Sequence, residues 1–429
     1  MGYKIEAMMS RSLLLASVLA GCVIALLADK VMAEEAFVHS GLTHTGASTE
    51  ILQPPLVLKW TADPNPSEYW GFHSSPMVAD GVAYIGSWDH HLYAFDSSTG
   101  DVLWQASTEG KIRFSAPAVT KNTVYIGSED NHLYAFNRSD GTFKWKFETG
   151  SRVECSPVVA GGVVFFGSRD HHVYAVDVQA GNLKWKFKAN APVFGSPCVV
   201  ADKVYITEEG LPLNKENTKW EGENIYCLDI ETGAKIWEFE GGASYSAPVY
   251  DNGTVYFGSM NGKVYGLNAE TGQVRGSFDT GGPIAATPAV AHGVIYIGSL
   301  AKKIFAVDAT TWQAKWEFST IFDADMLQNV GVIGTRILNY TKEENGKQVE
   351  VRMTKDFYPR FVTPTVSGKH VYVTLGYNII ALDAMSGEVR WNYVFLEPQQ
   401  GSPAEGGRVE IKDGMLFVGT RFYVAAFTQ

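Results

Sequence analysis

Cysteine is scarce in this chain, with four residues in 429 (Cys22, Cys155, Cys198 and Cys227), and no two are neighbours or at the spacing of a zinc site. Basic runs are absent too. The formal net charge is −11, which argues against nucleic acid as a partner and against tight binding to acidic lipid. No glycine-rich phosphate loop, His-Glu-x-x-His or nucleophile elbow occurs, so the commonest catalytic signatures are missing. Long apolar runs are also lacking. The longest, residues 13–27, is too short for a secure membrane span.

What the chain does have is a repeat. Seven times an Asp or Asn is followed eight residues later by one fixed position: Asp96 and Trp104, Asn137 and Trp145, Asp177 and Trp185, Asp229 and Trp237, Asn268 and Gly276, Asp308 and Trp316, Asp383 and Trp391. Six of the seven positions hold Trp. A period near 40 residues with such a marker is the mark of a repeat array, and arrays of this strand content are β-propellers.

The second copy shows the unit's chemistry. Ser115-Ala-Pro117 opens a short strand, and Val124-Tyr-Ile-Gly-Ser128 is an apolar, β-branched and aromatic run suited to a buried one. Glu129-Asp130-Asn131 makes a tight hairpin into Leu133-Tyr-Ala-Phe136. Asn137-Arg-Ser-Asp-Gly141 then turns the chain, its first side chain bonding its own backbone and its Gly accepting positive φ. Trp145 falls on the fourth strand. One such sheet has two apolar faces, so units must stack around a ring with the indole filling the gap to a neighbour.

Counting third strands, from Leu92–Phe95 to Tyr423–Phe427, gives eight blades. The fold class is therefore all-β: an eight-bladed propeller of four-stranded antiparallel blades spanning residues 55–429. The last copy, from Val409, stops after three strands, while Leu56-Val-Leu-Lys-Trp60 is a fourth strand without a blade. Pairing the two ends would close the ring and remove exposed edges. The marker spacing widens twice, placing insertions at Thr207–Asn224 and at Ser319–Tyr358. Cys198 and Cys227 fall on the first and third strands of one blade, about 9 to 10 Å apart and beyond disulfide reach. Buried free thiols are expected.

The amino terminus reads as an export signal. Two processing outcomes are open. Leu19-Ala-Gly-Cys22 matches a lipobox, which makes residues 1–21 the signal and Cys22 the lipidated first residue. Val31-Met-Ala33 before Glu34 suits ordinary signal peptidase, which makes the signal 1–33. Residues 34–54, rich in Ser, Thr, Gly and His, are expected to form a flexible tether.

Residues three and four before each first-strand Pro should face the funnel mouth. These are Phe72 and His73, Arg113 and Phe114, Val153 and Glu154, Val193 and Phe194, Ser244 and Tyr245, Ile284 and Ala285, Arg360 and Phe361. His73, Arg113, Glu154, Tyr245 and Arg360 are the candidate binding residues, suited to an anionic small molecule or an acidic peptide segment. The bland reading pairs Arg113 with Glu154 across blades. Asp89-His90-His91, Asn131-His132 and Asp170-His171-His172 recur at hairpins and read as solvated histidines rather than metal ligands. Trp88, at the first of these, is a candidate aromatic contact for a partner.

The unit Gly-Ser-x-Asp-x-x-x-Tyr-Ala-x-Asp-x-x-Thr-Gly-x-x-x-Trp, seen here as Gly86-Ser87 to Trp104, resembles the pyrroloquinoline quinone (PQQ) type propeller repeat over residues 56–429. The resemblance implies one of two functions. One branch comprises periplasmic quinoprotein alcohol dehydrogenases that hold PQQ with a calcium or lanthanide ion. The other is the BamB type of the outer-membrane assembly machinery, which binds partner proteins without a cofactor. The dehydrogenase branch is longer and uses adjacent cysteines and a Glu, Asn and Asp ligand set that find no matching positions here. The BamB-type reading is therefore preferred: a monomeric, non-catalytic scaffold in the periplasm that contacts envelope or outer-membrane proteins, with no catalytic or metal residues and a membrane tether if Cys22 carries lipid. A quinoprotein dehydrogenase, or a hydrolase using the funnel, is the alternative.

Processing is directly testable. If Cys22 is lipidated, globomycin should cause precursor to accumulate and Cys22→Ala should release the protein from membranes; a mature amino terminus at Glu34 would exclude lipidation.

Overall fold

The computed structural model describes residues 36–37, 45–63, 71–209, 211–212, 220–221, 224–241, 245–319, 339–344, 347–352, 363–375, 378–394, 409–420 and 423–429. Within them the chain is all-β: an eight-bladed propeller of four-stranded antiparallel sheets, without helices. In the first blade Met77–Ala79, Val82–Gly86, His91–Asp96 and Val102–Ser107 pair in chain order. The second strands are mostly apolar because both sheet faces are covered by neighbouring blades; Thr123–Gly127 is buried at every position. The fourth strands alternate, since only one face meets a neighbour. The first strands of adjacent blades lie against one another, which sets them innermost around the axis.

The eighth blade is built from both ends of the chain. Val57–Ala62 pairs antiparallel with Val424–Thr428, beside Met415–Gly419 and Glu410–Lys412. Closure thus occurs by the amino-terminal strand, as the repeat count requires. Trp60 on that strand then docks onto the first blade, so the ring is sealed on both sides of the seam.

Blade-to-blade contact follows one rule. The indole Nε1 of Trp60, Trp104, Trp145, Trp185, Trp237 and Trp316 donates to the carbonyls of Ser97, Arg138, Val178, Ile230, Ala269 and Ala384 in the next blade, at 2.9 to 3.2 Å. Each indole lies on the glycine of that blade's turn. A Cβ on Gly141, for instance, would stand 2.6 Å from Trp104. These glycines also need positive φ, 71° at Gly141, because the turn is pinned by its own Asp or Asn side chain. Asp96 Oδ1 accepts from the Ser98 and Thr99 amides at 2.8 and 3.1 Å.

The one repeat without its tryptophan is compensated across the interface. Gly276 occupies the indole position, and Trp312 replaces the glycine of the next turn; a Cβ on Gly276 would stand 2.0 Å from Trp312 Nε1. Trp312 accepts a φ of 57° to do so. A second exchange occurs in the fourth blade. In the first, second, third and fifth blades a Ser or Cys side chain bonds the second-strand Gly, as Ser74 does to Gly86 at 3.1 Å. Here Gly195 faces Thr207, whose Oγ1 fills the space a Cβ would take.

Cys155, Cys198 and Cys227 are free and buried. Tyr205 stands between Cys198 and Cys227 in the sheet register. Burial pushes the Cys155 thiol up to about 12, so it serves as a weak backbone partner rather than a nucleophile. Both insertions leave the ring where second strands end and fourth strands hand over, which is one face. They contain the short pairs Leu211–Pro212 with Trp220–Glu221 and Asn339–Glu344 with Lys347–Arg352.

Residues 45–54 differ from the expected flexible tether. Ala47–Ser48 pairs parallel with Val366–Ser367, Leu52 is buried, and the Leu52 amide donates to Ser367 Oγ at 2.7 Å. Apolar and backbone partners on the seventh and eighth blades outweigh the segment's polar composition.

The exchange at Gly276 predicts strong coupling. Trp312→Gly should destabilise by about 3 to 5 kcal/mol, as loss of a packed aromatic does, and Gly276→Trp should clash. The double variant should recover most of the loss in a thermal double-mutant cycle; additive losses would refute compensation.

Candidate functional site

Inter-blade segments and second-to-third strand hairpins meet at one face, joined by backbone hydrogen bonds such as Glu129 N to Lys111 O (2.9 Å) and Arg169 N to Arg152 O (3.0 Å). This juxtaposition gathers side chains from the first four blades. The hairpin residue following Gly-Ser is Trp88, then Glu129, then Arg169; in the fourth blade Glu209 holds the place.

At one end the His73 ring stacks on Trp88, with centroids 4.3 Å apart. The Arg113 guanidinium lies 5.0 Å from the Trp88 ring centroid and 4.7 Å from that of Phe114. Lys111 Nζ adds a second cation 5.1 Å from Trp88. Trp88 is therefore a half-buried platform carrying two cations and an imidazole, held by cation–π attraction. The row of rings continues through Phe114, Phe194 and Tyr245, edge to face at 5.4 and 5.2 Å.

Beside the rings runs a charge network. Glu129 Oε1 stands 3.9 Å from Arg113 and 3.8 Å from Arg152, and its carboxyl neighbours that of Glu154. Arg169 donates from Nε to Glu154 and forms an ion pair through NH1 with Glu209 at 2.7 Å. Glu209 in turn bonds Tyr245. Burial raises the Glu129 carboxyl above its ordinary value, and the neighbouring Glu154 adds to the rise. Burial raises Glu209 as well, opposed by Arg169.

The layers are ordered by sign. Arg152, Arg113 and Arg169 side chains are 51, 32 and 28 % exposed, whereas Glu129, Glu209 and Glu154 are 16, 4 and 2 % exposed. The carboxylates lie beneath and orient the guanidinium groups, so the face turned to solvent is cationic and aromatic. Such a surface is pre-organised for carboxylates, which a guanidinium grips with two parallel hydrogen bonds.

Of the sequence-predicted residues, His73, Arg113, Glu154 and Tyr245 fall into this one network. Arg360 lies outside the described residues, as does Cys22. Arg113 meets Glu129 and Glu154 meets Arg169, so the ion pairs involve hairpin residues that the proline spacing did not single out. Their signal was the position after Gly-Ser, where charge appears in an otherwise constant unit. The hairpin histidines have local roles: His91, His132 and His172 each place Nδ1 within 2.8 to 2.9 Å of the carbonyl of Asp89, Asp130 and Asp170. Among the described residues no group of three His, Cys, Asp or Glu side chains is placed to hold a metal.

Comparison with known proteins bears on this geometry. The family described as outer membrane protein assembly factor BamB matches residues 58–192, 148–219 and 221–428. The chain belongs to this family. No curated protein matches it in sequence. Among solved structures, BamB from Moraxella catarrhalis superposes with a TM-score of 0.64 at 14% identity, covering 87% of this chain and 100% of that one. Quinohemoprotein alcohol dehydrogenase from Comamonas testosteroni gives 0.65 at 15% identity, covering 91% and 80%. The computationally designed Ika8 protein gives 0.61 at 14%, covering 84% and 97%. At these identities the likeness concerns the fold alone.

A quinone with its cation does not fit the mouth residues described. A cation placed among Glu129, Glu154 and Glu209 would face the guanidinium groups that already hold them. The cysteines are no substitute for an adjacent pair, since Cys155 Sγ is bonded to the Gly167 backbone and the others are strand-buried.

The raised Glu129 carboxyl carries a pH signature. Its stabilising contribution is fully present below the ordinary value near 4.5 and is lost as pH rises through its higher folded value. Glu129→Gln should therefore raise Tm at pH 7 to 8 and leave it nearly unchanged at pH 4. A lower Tm at pH 8 would mean that Arg113 and Arg152 outweigh burial.

Proposed function

We propose that this BamB-family propeller is an exported, non-catalytic scaffold of the cell envelope, which captures acidic segments of partner proteins at the mouth face during outer-membrane protein assembly. The observation that carries the reading is the layering of the mouth: guanidinium groups and Trp88 outward, carboxylates buried beneath and committed to them. A catalytic carboxylate needs a proton to exchange with substrate or a bond to form; these carboxylates serve instead to fix cations in place, which is a recognition arrangement. Family membership over residues 58–428 supports the assembly role. The export signal supports a periplasmic location, anchored to the outer membrane where Cys22 is lipidated.

The reading is tested by Arg113→Ala with Arg152→Ala. Retention of purified outer-membrane assembly proteins should fall at least tenfold, and the wild-type interaction should weaken with salt as an electrostatic contact does. Stability should change by less than about 0.5 kcal/mol for the exposed Arg152. Unchanged capture would remove the mouth from the interface. Dye-linked alcohol oxidation after addition of PQQ and calcium would replace the scaffold reading with the dehydrogenase one.

A further inference from the structure

The innermost strand of every blade turns one edge toward the axis, where its backbone groups have no further strand of the blade to pair with. In blades one, three, four, five, six and eight the first strand ends its sheet, whereas in blades two and seven the chain's own amino-terminal region adds a fifth strand. Ala36–Phe37 pairs antiparallel with Val119 and Thr120 of the second blade. Ala47–Ser48 pairs parallel with Val366 and Ser367 of the seventh.

The second of these contacts spans two blades. Thr45 O accepts from the Val290 amide of the sixth blade and Gly46 O from the Val366 amide of the seventh, both at 2.7 Å. Consecutive carbonyls can reach different blades because Gly46 adopts a φ of 69°, a conformation that a branched side chain disfavours. The residues seated there, Thr45-Gly46-Ala47-Ser48, are all small. Downstream the segment is clasped at the rim. Ser48 Oγ donates to Ile411 O at 3.2 Å, the Gly414 amide to Glu50 Oε2 at 2.8 Å, and Tyr372 OH to Leu52 O at 2.9 Å.

We propose that the axial strand edges of the sixth and seventh blades are a second docking site, selective for an extended, small-residue segment, and that residues 45–48 occupy it in cis as a displaceable plug. The recognition is by backbone hydrogen bonding, as in strand addition at other exposed edges, and the small side chain of Ala47 packs against the apolar cluster that the sixth and seventh blades share. The site is distinct from the cationic mouth and takes an uncharged ligand. A tethered segment competes at high effective concentration, so a free peptide of the same sequence should bind the wild-type protein poorly until the plug is weakened.

The test uses Gly46→Val, which places a branched side chain at the positive-φ position while leaving Leu52 and the closing strand intact. Hydrogen exchange at the Val290 and Val366 amides should accelerate at least tenfold in the variant. A fluorescent synthetic peptide of residues 43–50 should then bind the variant at least tenfold more tightly than wild type, and the same peptide carrying Gly46→Val should not bind. The proposal is overturned if the two amides stay protected in the variant, because the segment is then not displaceable. It is equally overturned if they become exposed and the peptide still does not bind.

Discussion

The rest of the structure depends on the seating of one indole across each blade boundary: on a turn glycine at six of them, on Gly276 where the pair is reversed, and against Phe427 between the seventh and eighth blades. A four-stranded blade has two apolar faces and no independent core, so its stability lies in its neighbours. The indole supplies a large apolar surface and its N–H satisfies a carbonyl at the end of the next blade's third strand, which fixes both the distance and the rotation between blades. The glycine serves twice, once by its positive φ in the turn and once by having no Cβ where the indole lies. That double demand explains why Gly276 and Trp312 had to change together: the interface needs one ring in the gap and is indifferent to which blade provides it.

Ring closure extends the same contact to the chain ends. The strand Val57–Ala62 completes the eighth blade by hydrogen bonding and carries Trp60, which seats on Gly100 of the first. The seam is therefore held by the same interaction as five of the other boundaries, with residues 45–54 adding a clasp across the seventh and eighth blades. Burying this segment makes the amino-terminal region part of the domain, close to the axis.

A ring with self-sufficient boundaries frees its inter-blade segments and hairpins to diverge, and the mouth is where they do. Packing three carboxylates under three guanidinium groups and a row of rings is not the arrangement that maximises stability, as the raised Glu129 and Glu209 carboxyls indicate. Burial of the acids is tolerated because it holds the arginines in a fixed, outward geometry at little further entropic cost on binding. The scaffold's regularity supports the irregular site.

What the sequence by itself determined is everything that recurs. The Asp-to-Trp spacing specified the blade, its number and its turns, and the unmatched strand Leu56–Trp60 specified closure, because these depend on local hydrogen bonding and on a period that neighbouring units share. Some of the positions before the first-strand prolines were legible as mouth residues for the same reason, which placed His73, Arg113, Glu154 and Tyr245, whereas Phe72, Val153, Val193 and Ile284 turn into the cores between blades instead. The partners they meet were not. Glu129, Arg152, Arg169 and Glu209 join the network through contacts between different blades, and residues 45–54 look solvated by composition yet are captured by hydrogen bonds to strands more than 300 positions away. Only the tertiary structure decided these, because burial and pairing across the ring depend on which surfaces the closed propeller brings together, and no local spacing in the chain encodes that distance.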